Sequence, residues 1–241
     1  MSYPIAEKRP LRIGHRGAAA HAPHNTLAGF RKAAELGADM VELDVQRSAD
    51  NQAVVIHDLY LRFPGGKILP VREATLAELR SVDLGGGERV PLLREALETC
   101  RQLNLGVYIE LKEGGAARMV RDVLALLDYG AHCIVGSFRP DWVADFTAAV
   151  PQVAGSVLFG SQAIDGPRAV QLAQACAAAY VHPCWESGAH PSALLTPEWV
   201  GSVRAAGLGI ITWHEERPDV ITELKSLGVD GICSDRPELL V

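Results

Sequence analysis

The sequence predicts an α/β protein, a (β/α)₈ TIM barrel with a small insertion after the second strand, on three observations. Eight short apolar runs of strand type recur along the chain, and helical patterns separate most of them. The length, 241 residues, suits the roughly 250 residues that eight such units occupy. An open doubly wound sheet is the rival, but it usually has fewer strands. No G-x-G-x-x-G follows a strand, so the dinucleotide-binding form of that rival lacks its main signature.

The strand-type runs are 11–14, 40–45, 106–111, 133–135, 153–158, 178–182, 209–213 and 231–233. After the first, Asn25 is expected to cap a helix in which Leu27, Phe30 and Ala34 share a face and Gly37 stops the last turn. An excursion follows the second run, approximately residues 53–104. It holds a short strand at 53–57, then the loop Phe63-Pro64-Gly65-Gly66. Next comes a helix start marked by the capping box Thr75-Leu76-Ala77-Glu78. Pro91 is expected to open a helix that aligns Leu93, Ala96, Leu97 and Cys100. Pro140, Pro167, Pro197 and Pro218 stand where further helices should begin. No low-complexity linker divides residues 1–241, which reads as a single domain. Long insertions in compact domains are often lids or binding loops; a purely decorative insertion is the alternative.

Composition removes several function classes. Twenty-three basic residues against 29 acidic ones give a formal charge of −6, which argues against nucleic acid as a partner. With 48% hydrophobic residues the chain is a packed protein rather than a disordered one. No apolar run approaches the roughly 18 residues of a membrane span, and no membrane anchor or polybasic segment is visible. Residues 1–10 carry Glu7, Lys8 and Arg9 without an apolar core, unlike a secretory signal. The five cysteines, Cys100, Cys133, Cys176, Cys184 and Cys233, form no C-x-x-C pair. They read as reduced thiols of a cytoplasmic protein. The oligomeric state is left open.

Polar residues interrupt two strands on one face. Period-2 alternation puts Glu42 and Asp44 together on the second strand, and Tyr108, Glu110 and Lys112 together on the third. Both sets lie near the carboxyl ends, where barrels build active sites. Carboxylates crowded this way repel each other, and burial raises the cost unless cations compensate. An all-oxygen set suits a hard divalent cation, Mg²⁺ or Ca²⁺; a salt-bridge network with Arg16 and Lys112 is the alternative. His15-Arg16-Gly17 follows the first strand and His57-Asp58 ends the extra short one. Two imidazoles can serve as acid and base, and Arg16 offers planar donors suited to phosphate oxygens. Together these groups read as metal-assisted phosphoryl chemistry.

The chain resembles the glycerophosphodiester phosphodiesterase family. The matching pieces are His15-Arg16-Gly17, Asn25-Thr26, Gly37-Ala38-Asp39, Glu42-Leu43-Asp44-Val45, His57-Asp58, Ile109-Glu110-Leu111-Lys112, Thr212-Trp213, and Gly228-Val229-Asp230-Gly231 with Asp235 and Pro237. Each piece alone is weak, but their order over almost the whole chain is specific. The resemblance implies metal-dependent hydrolysis of glycerophosphodiesters to glycerol 3-phosphate and an alcohol. It implies a divalent metal on Glu42, Asp44 and Glu110, and His15 and His57 as the acid–base pair. Arg16 and Lys112 would lie near the phosphate and Trp213 would line the pocket, its alternative being a barrel-core aromatic. The nucleophile it implies is the substrate's own 2-hydroxyl, through a cyclic phosphate that water then opens.

Some positions depart from the family pattern. His24 stands where the family usually has Glu before Asn-Thr, and His214 follows Trp213 where Asn is common. The segment after His57-Asp58 is unusually apolar, which leaves the preferred alcohol open. His21 reads as a surface residue. The competing functions are a phospholipid or lysophospholipid phosphodiesterase of the same fold, and a barrel that binds a phosphorylated ligand without catalysis. An aldolase using Lys112 would leave Glu110 and the two histidines unexplained.

Overall fold

In the computed structural model, described for residues 9–160, 162, 164–184 and 190–241, strands and helices alternate around a closed sheet. In chain order the first elements are β1 (Leu11–Gly14), α1 (Leu27–Glu35), β2 (Met40–Arg47), β3 (Ala53–Val55), β4 (Tyr60–Arg62), β5 (Ile68–Pro70), α2 (Leu76–Leu79) and α3 (Leu93–Gln102). The chain continues through β6 (Gly106–Leu111), α4 (Ala116–Leu127), β7 (Cys133–Ser137), α5 (Pro140–Ala149), β8 (Ala154–Phe159) and α6 (Gly166–Ala175). Then follow β9 (Tyr180–Pro183), α7 (Pro191–Leu194), α8 (Pro197–Ala205), β10 (Gly209–Thr212), α9 (Pro218–Ser226) and β11 (Gly231–Ser234). The neighbours run β1-β11-β10-β9-β8-β7-β6-β2, all parallel, and β2 returns to β1 through Ile13–Met40 and Gly14–Val41. Closure removes both sheet edges.

Alternation along the strands sorts the side chains. Val41, Leu43, Val45, Val107, Ile109, Leu111 and Val135 point outward and pack beneath Phe30, Leu93, Leu97, Val120 and Leu124 of the helices. Each such Leu, Ile or Phe contributes about 2 kcal/mol on burial. Inside the barrel, Ile13, Met40, Tyr108, Ile134, Leu158, Tyr180, Ile211 and Cys233 form a separate apolar layer. The inward position two residues further along a strand lies one level nearer its carboxyl end. From this layer that step reaches His15, Glu42, Glu110, His182, Trp213 and Asp235.

The excursion after β2 begins with β3, antiparallel to β2 with Val55 opposite Val45. Ile56 N–H then donates to the Asp44 carbonyl at 2.9 Å, which brings the next residue, His57, to the barrel mouth. Beyond it, Val54, Ile56, Leu61, Phe63, Val71, Ala74, Leu79 and Val90 form their own small core. The Phe63–Gly66 turn closes the β4–β5 hairpin, where the sequence predicts only a loop. The capping box at Thr75 and Glu78 is present and starts a helix of four residues.

Two helix starts differ from expectation. Thr26, not Asn25, caps α1, with its Oγ1 accepting from Gly29 N–H at 3.1 Å. Asn25 instead sits at φ 57° and turns its side chain inward. Pro91 precedes α3 by two residues; Leu92 is the cap, and its N–H donates to the Glu95 carboxylate at 2.9 Å. Pro140, Pro167, Pro197 and Pro218 all lie in the first two positions of their helices, as expected. β1 and β6 match the expected runs at both ends, while the other six barrel strands differ by one or two residues at an end, most visibly β7 and β2, which extend to Ser137 and Arg47.

Candidate active site

The mouth is assembled by the turn after β1. Arg16 adopts a left-handed conformation (φ 49°) and Gly17 follows at φ 97°. A side chain on Gly17 would put its Cβ 2.7 Å from the Gly29 carbonyl carbon, so only glycine lets the turn pack on α1. This geometry aims the Arg16 backbone N–H at Glu42 Oε2, 2.9 Å away. The Arg16 guanidinium lies over Asp44, with Nε 3.5 Å from Oδ2.

Glu42, Asp44 and Glu110 are all buried and present carboxylate oxygens within 4.8 Å of one another. Asn25 holds Asp44 from two sides: its Nδ2 donates to Oδ2 at 2.8 Å, and its Oδ1 accepts from Asp44 N–H at 3.2 Å. Lys112 Nζ donates to Glu110 at 2.9 Å and stands 3.4 Å from Asp44. Part of the salt-bridge alternative is therefore real. It is incomplete, because neither cationic side chain bridges Glu42 among the described pairs. Burial, with Asp44 and Glu110 nearby, raises the Glu42 carboxyl well above its ordinary value. Burial and Asp44 push Glu110 up to about 7 against the pull of Lys112. Burial lowers Lys112, yet Glu110 and Asp44 outweigh it and hold the ammonium above its usual value. Three carboxylates share two cations, and this shortage of positive charge favours the protonated forms of Glu42 and Glu110.

The histidines are held differently. His15 Nδ1 lies 2.6 Å from Asp235 Oδ1, so that nitrogen donates and Nε2 becomes the acceptor, 4.0 Å from Glu42 Oε2. Its ring stacks on His214, centroids 5.0 Å apart. Burial lowers the His15 pKa despite the Asp235 hydrogen bond, which favours neutral imidazole. Asp235 in turn is lowered: burial opposes this, but the bond from His15 prevails. His57 is more open to solvent, and its Nδ1 lies 3.1 Å from Asp58 Oδ1. Buried Gln46 fixes its backbone, with Nε2 donating to the carbonyls of Ile56, His57 and Asp58 at 3.0, 3.1 and 2.9 Å.

One cavity is lined by His15, Arg16, Glu42, His57, Glu110, Lys112 and Trp213, with Asp44 on its carboxylate cluster. All eight side chains singled out in the sequence thus converge. Trp213 lines the cavity and also packs against the barrel's inner layer. His21 is on the surface, paired with Glu238 at 2.8 Å, and His24 is exposed.

Sequence reasoning missed four participants. Asn25 was expected at a helix start. Asp235 appeared only as part of a motif, without a role. Phe138 meets Trp213 edge-on at 5.8 Å on the cavity wall. His182 is buried in the wall with neither ring nitrogen hydrogen-bonded, and burial, with His15 nearby, pushes its pKa down to about 3. A polar residue on the inward face near a strand's carboxyl end was the available signal for His182. It is the same signal that marked Glu110.

Comparisons with known proteins agree along nearly the whole chain. The sequence profile of the Glycerophosphoryl diester phosphodiesterase family matches residues 15–239. A glycerophosphodiester phosphodiesterase of Caldanaerobacter subterraneus subsp. tengcongensis is 30% identical, covering 97% of each chain. The crystal structure of a glycerophosphodiester phosphodiesterase from Agrobacterium tumefaciens superimposes with a TM-score of 0.79 at 30% identity, covering 95% of this chain and 97% of that one. An Oleispira antarctica phosphodiesterase, solved with its product sn-glycerol-3-phosphate, gives 0.82 at 26% identity, covering 96% and 95%.

Proposed function

Because the chain belongs to the glycerophosphoryl diester phosphodiesterase family, an enzyme of glycerophosphodiester hydrolysis, we propose that its chemistry runs in the cavity at the barrel mouth. The products are glycerol 3-phosphate and an alcohol, and the reading as a binding barrel without catalysis falls away. The family is divalent-metal dependent. The observation that carries the site assignment is geometric: the buried carboxylates of Glu42, Asp44 and Glu110 converge within 4.8 Å, while the side chains of Arg16 and Lys112 reach only Asp44 and Glu110 and leave a charge deficit. A divalent cation would remove that deficit, and Glu42, Asp44 and Glu110 would hold it. Mg²⁺ and Ca²⁺ both suit three carboxylates. When bound, the ion supplies Lewis acidity at a phosphate oxygen and favours an ionised nucleophile.

The chain's own groups account for the proton movements. Asp235 fixes the His15 tautomer, so Nε2 accepts the proton of the attacking hydroxyl. The oxygen–phosphorus bond forms as the bond to the departing alcohol breaks. His57, at the open side of the cavity, gives its proton to that alkoxide, leaving a cyclic phosphate on the substrate's 2-oxygen. Water then opens the ring: its proton passes to His57 as its oxygen bonds to phosphorus, the bond to the 2-oxygen breaks, and His15 returns its proton there to give glycerol 3-phosphate. Arg16 and Lys112 face the cavity as donors for the remaining phosphate oxygens. Asn25 and Gln46 hold Asp44 and the His57 backbone in position. Trp213 and Phe138 offer an apolar wall to the substrate's carbon skeleton.

We read residues 1–241 as one catalytic domain whose excursion, near 53–104, delivers His57. Among the described residues no helix is long and apolar enough to cross a membrane. The buried thiols of Cys100, Cys133, Cys176 and Cys233 suit a reducing, cytoplasmic setting. The test is hydrolysis of a panel of glycerophosphodiesters, with a lysophospholipid included, before and after chelation and then with Mg²⁺ or Ca²⁺ restored. Turnover lost on chelation and regained with one ion is the expected result. Full activity in excess chelator overturns the assignment of the carboxylates. The lysophospholipid is included because the segment after His57 exposes Leu59 and Tyr60 beside the mouth.

A further inference from the structure

The β4–β5 hairpin inverts the usual pattern of a half-exposed sheet. Its inner face is ordinary: Leu61, Phe63 and Val71 are buried in the small core of the excursion. On the outer face Tyr60 pairs with Pro70 and Arg62 with Ile68. Such positions normally carry polar side chains. Here Tyr60 is 60% exposed, Ile68 52% and the preceding Leu59 57%. Among the described residues six large apolar side chains are exposed, and these are three of them. A patch of this kind marks a surface that is covered in use.

The charge of the segment identifies the cover. Residues 59–72 include Arg62, Lys67 and Arg72 and contain no Asp or Glu, in a chain of formal charge −6. Arg62 and Lys67 are exposed and form no ion pair within 4.0 Å of a described acid, although Lys67 is near enough to Glu78 to help lower its pKa; Arg72 lies 4.0 Å from Glu73. The tip, Gly65 and Gly66, has nothing packed against it. Aliphatic and aromatic side chains set among cations, with no acid between them, complement an anionic bilayer. The apolar groups enter the headgroup–acyl boundary while the cations meet lipid phosphates.

We propose that the outer face of the β4–β5 hairpin docks on an anionic lipid surface. The segment begins directly after His57-Asp58, so docking brings the rim of the cavity that holds His57 towards the bilayer. The docking itself does not depend on which side chains perform the hydrolysis.

Vesicle co-sedimentation of the full chain tests it. Vesicles of phosphatidylglycerol mixed with phosphatidylcholine should retain the protein, while phosphatidylcholine alone should bind it about tenfold less. Added salt should release it. Tyr60→Ser with Ile68→Ser, and separately Arg62→Glu with Lys67→Glu, should each lower the bound fraction about tenfold at unchanged melting temperature. Lys67→Glu alone, at an exposed position, gives a smaller loss and guards against a folding artefact. Absence of binding to either vesicle overturns the proposal, as do equal binding to both and wild-type binding by the folded variants. Hairpin variants that change the protein's size in solution but not its vesicle binding would make a second copy of the chain the occupant, and would overturn it too.

Discussion

At the amino end of β2, Asp39 meets two guanidinium groups; near the carboxyl end of the same strand, Glu42 and Asp44 meet a third carboxylate. Asp39 accepts from Arg9 at 2.7 and 3.0 Å and from Arg12 side-chain and backbone donors at 2.8 to 3.1 Å. Burial would raise its pKa, but these bonds hold it far below the carboxylate range. Asp230, at the foot of β11, is similarly engaged by Arg204 at 2.6 Å and by Ile210 N–H at 2.6 Å. At the mouth the balance reverses, and Glu42 and Glu110 are pushed up. A carboxylate whose donors are all supplied by the fold stabilises the fold. A cluster left short of positive charge keeps a place for a ligand.

The largest expected effect breaks the two ends apart by activity. Glu42→Gln or Asp44→Asn should reduce metal-dependent turnover by about 10³-fold or more, the scale of lost Lewis-acid stabilisation. Glu42→Gln should not lower the melting temperature of the metal-free protein, because it relieves like-charge repulsion at a carboxylate that no cationic side chain bridges. Asp39→Asn should leave turnover within about twofold. Steady-state assays beside thermal melts check all three.

Next come the histidines. His15→Ala and His57→Ala should each cost about 10²-fold or more in kcat, the usual range of acid–base catalysis. A mild loss in either variant would return that imidazole to a structural role. The pH–rate profiles of the two variants should lose opposite limbs.

The ends should also answer metal and pH with opposite sign. A divalent cation at about 100 times its Kd adds about 2.7 kcal/mol to the native state. In a chain of this length that raises the melting temperature by about 5–10 °C, and the rise should vanish in Glu42→Gln. Because protons compete for the raised carboxylates, the metal-free protein loses stability as pH climbs from about 4.5 through the Glu110 value of about 7. The metal effect should therefore grow across that window.

Asp39 is the smallest and runs the other way. Its folded pKa is depressed, so its contribution is complete above the unfolded value near 4 and disappears as pH falls through the folded one. Asp39→Asn should cost about 2 kcal/mol at neutral pH, discounted for partial exposure. Denaturant unfolding should show wild type and variant converging in acid.

The same comparison explains what was readable beforehand. Gly37-Ala38-Asp39 and Gly228-Val229-Asp230-Gly231 look as informative in one dimension as Glu42-Leu43-Asp44-Val45, yet the first two close the foot of the barrel and the third lines its mouth. Period-2 alternation was enough to put Glu42, Asp44 and Glu110 on the inner face, because a half-turn per residue is a property of any strand. It also gave the outer Val41-Leu43-Val45 face its helical cover. Asn25 was misread because a residue one place before a helix and a residue turning back toward β2 have the same sequence context. The difference is a left-handed φ, which follows from how the β1 turn packs on α1.

Local pattern determined the alternation of strands and helices, the proline-led helix starts, the capping box at Thr75, and the inward direction of the acidic side chains. Each of these depends only on neighbours a few residues away. The tertiary structure alone decided that Asp235 meets His15 across 220 positions of chain, that His182 joins the cavity wall, and that Lys112 reaches two carboxylates but not Glu42. Those distances are fixed by closure of the barrel, which brings the ends of β1, β2, β6, β9 and β11 around one axis; no spacing along the chain encodes them.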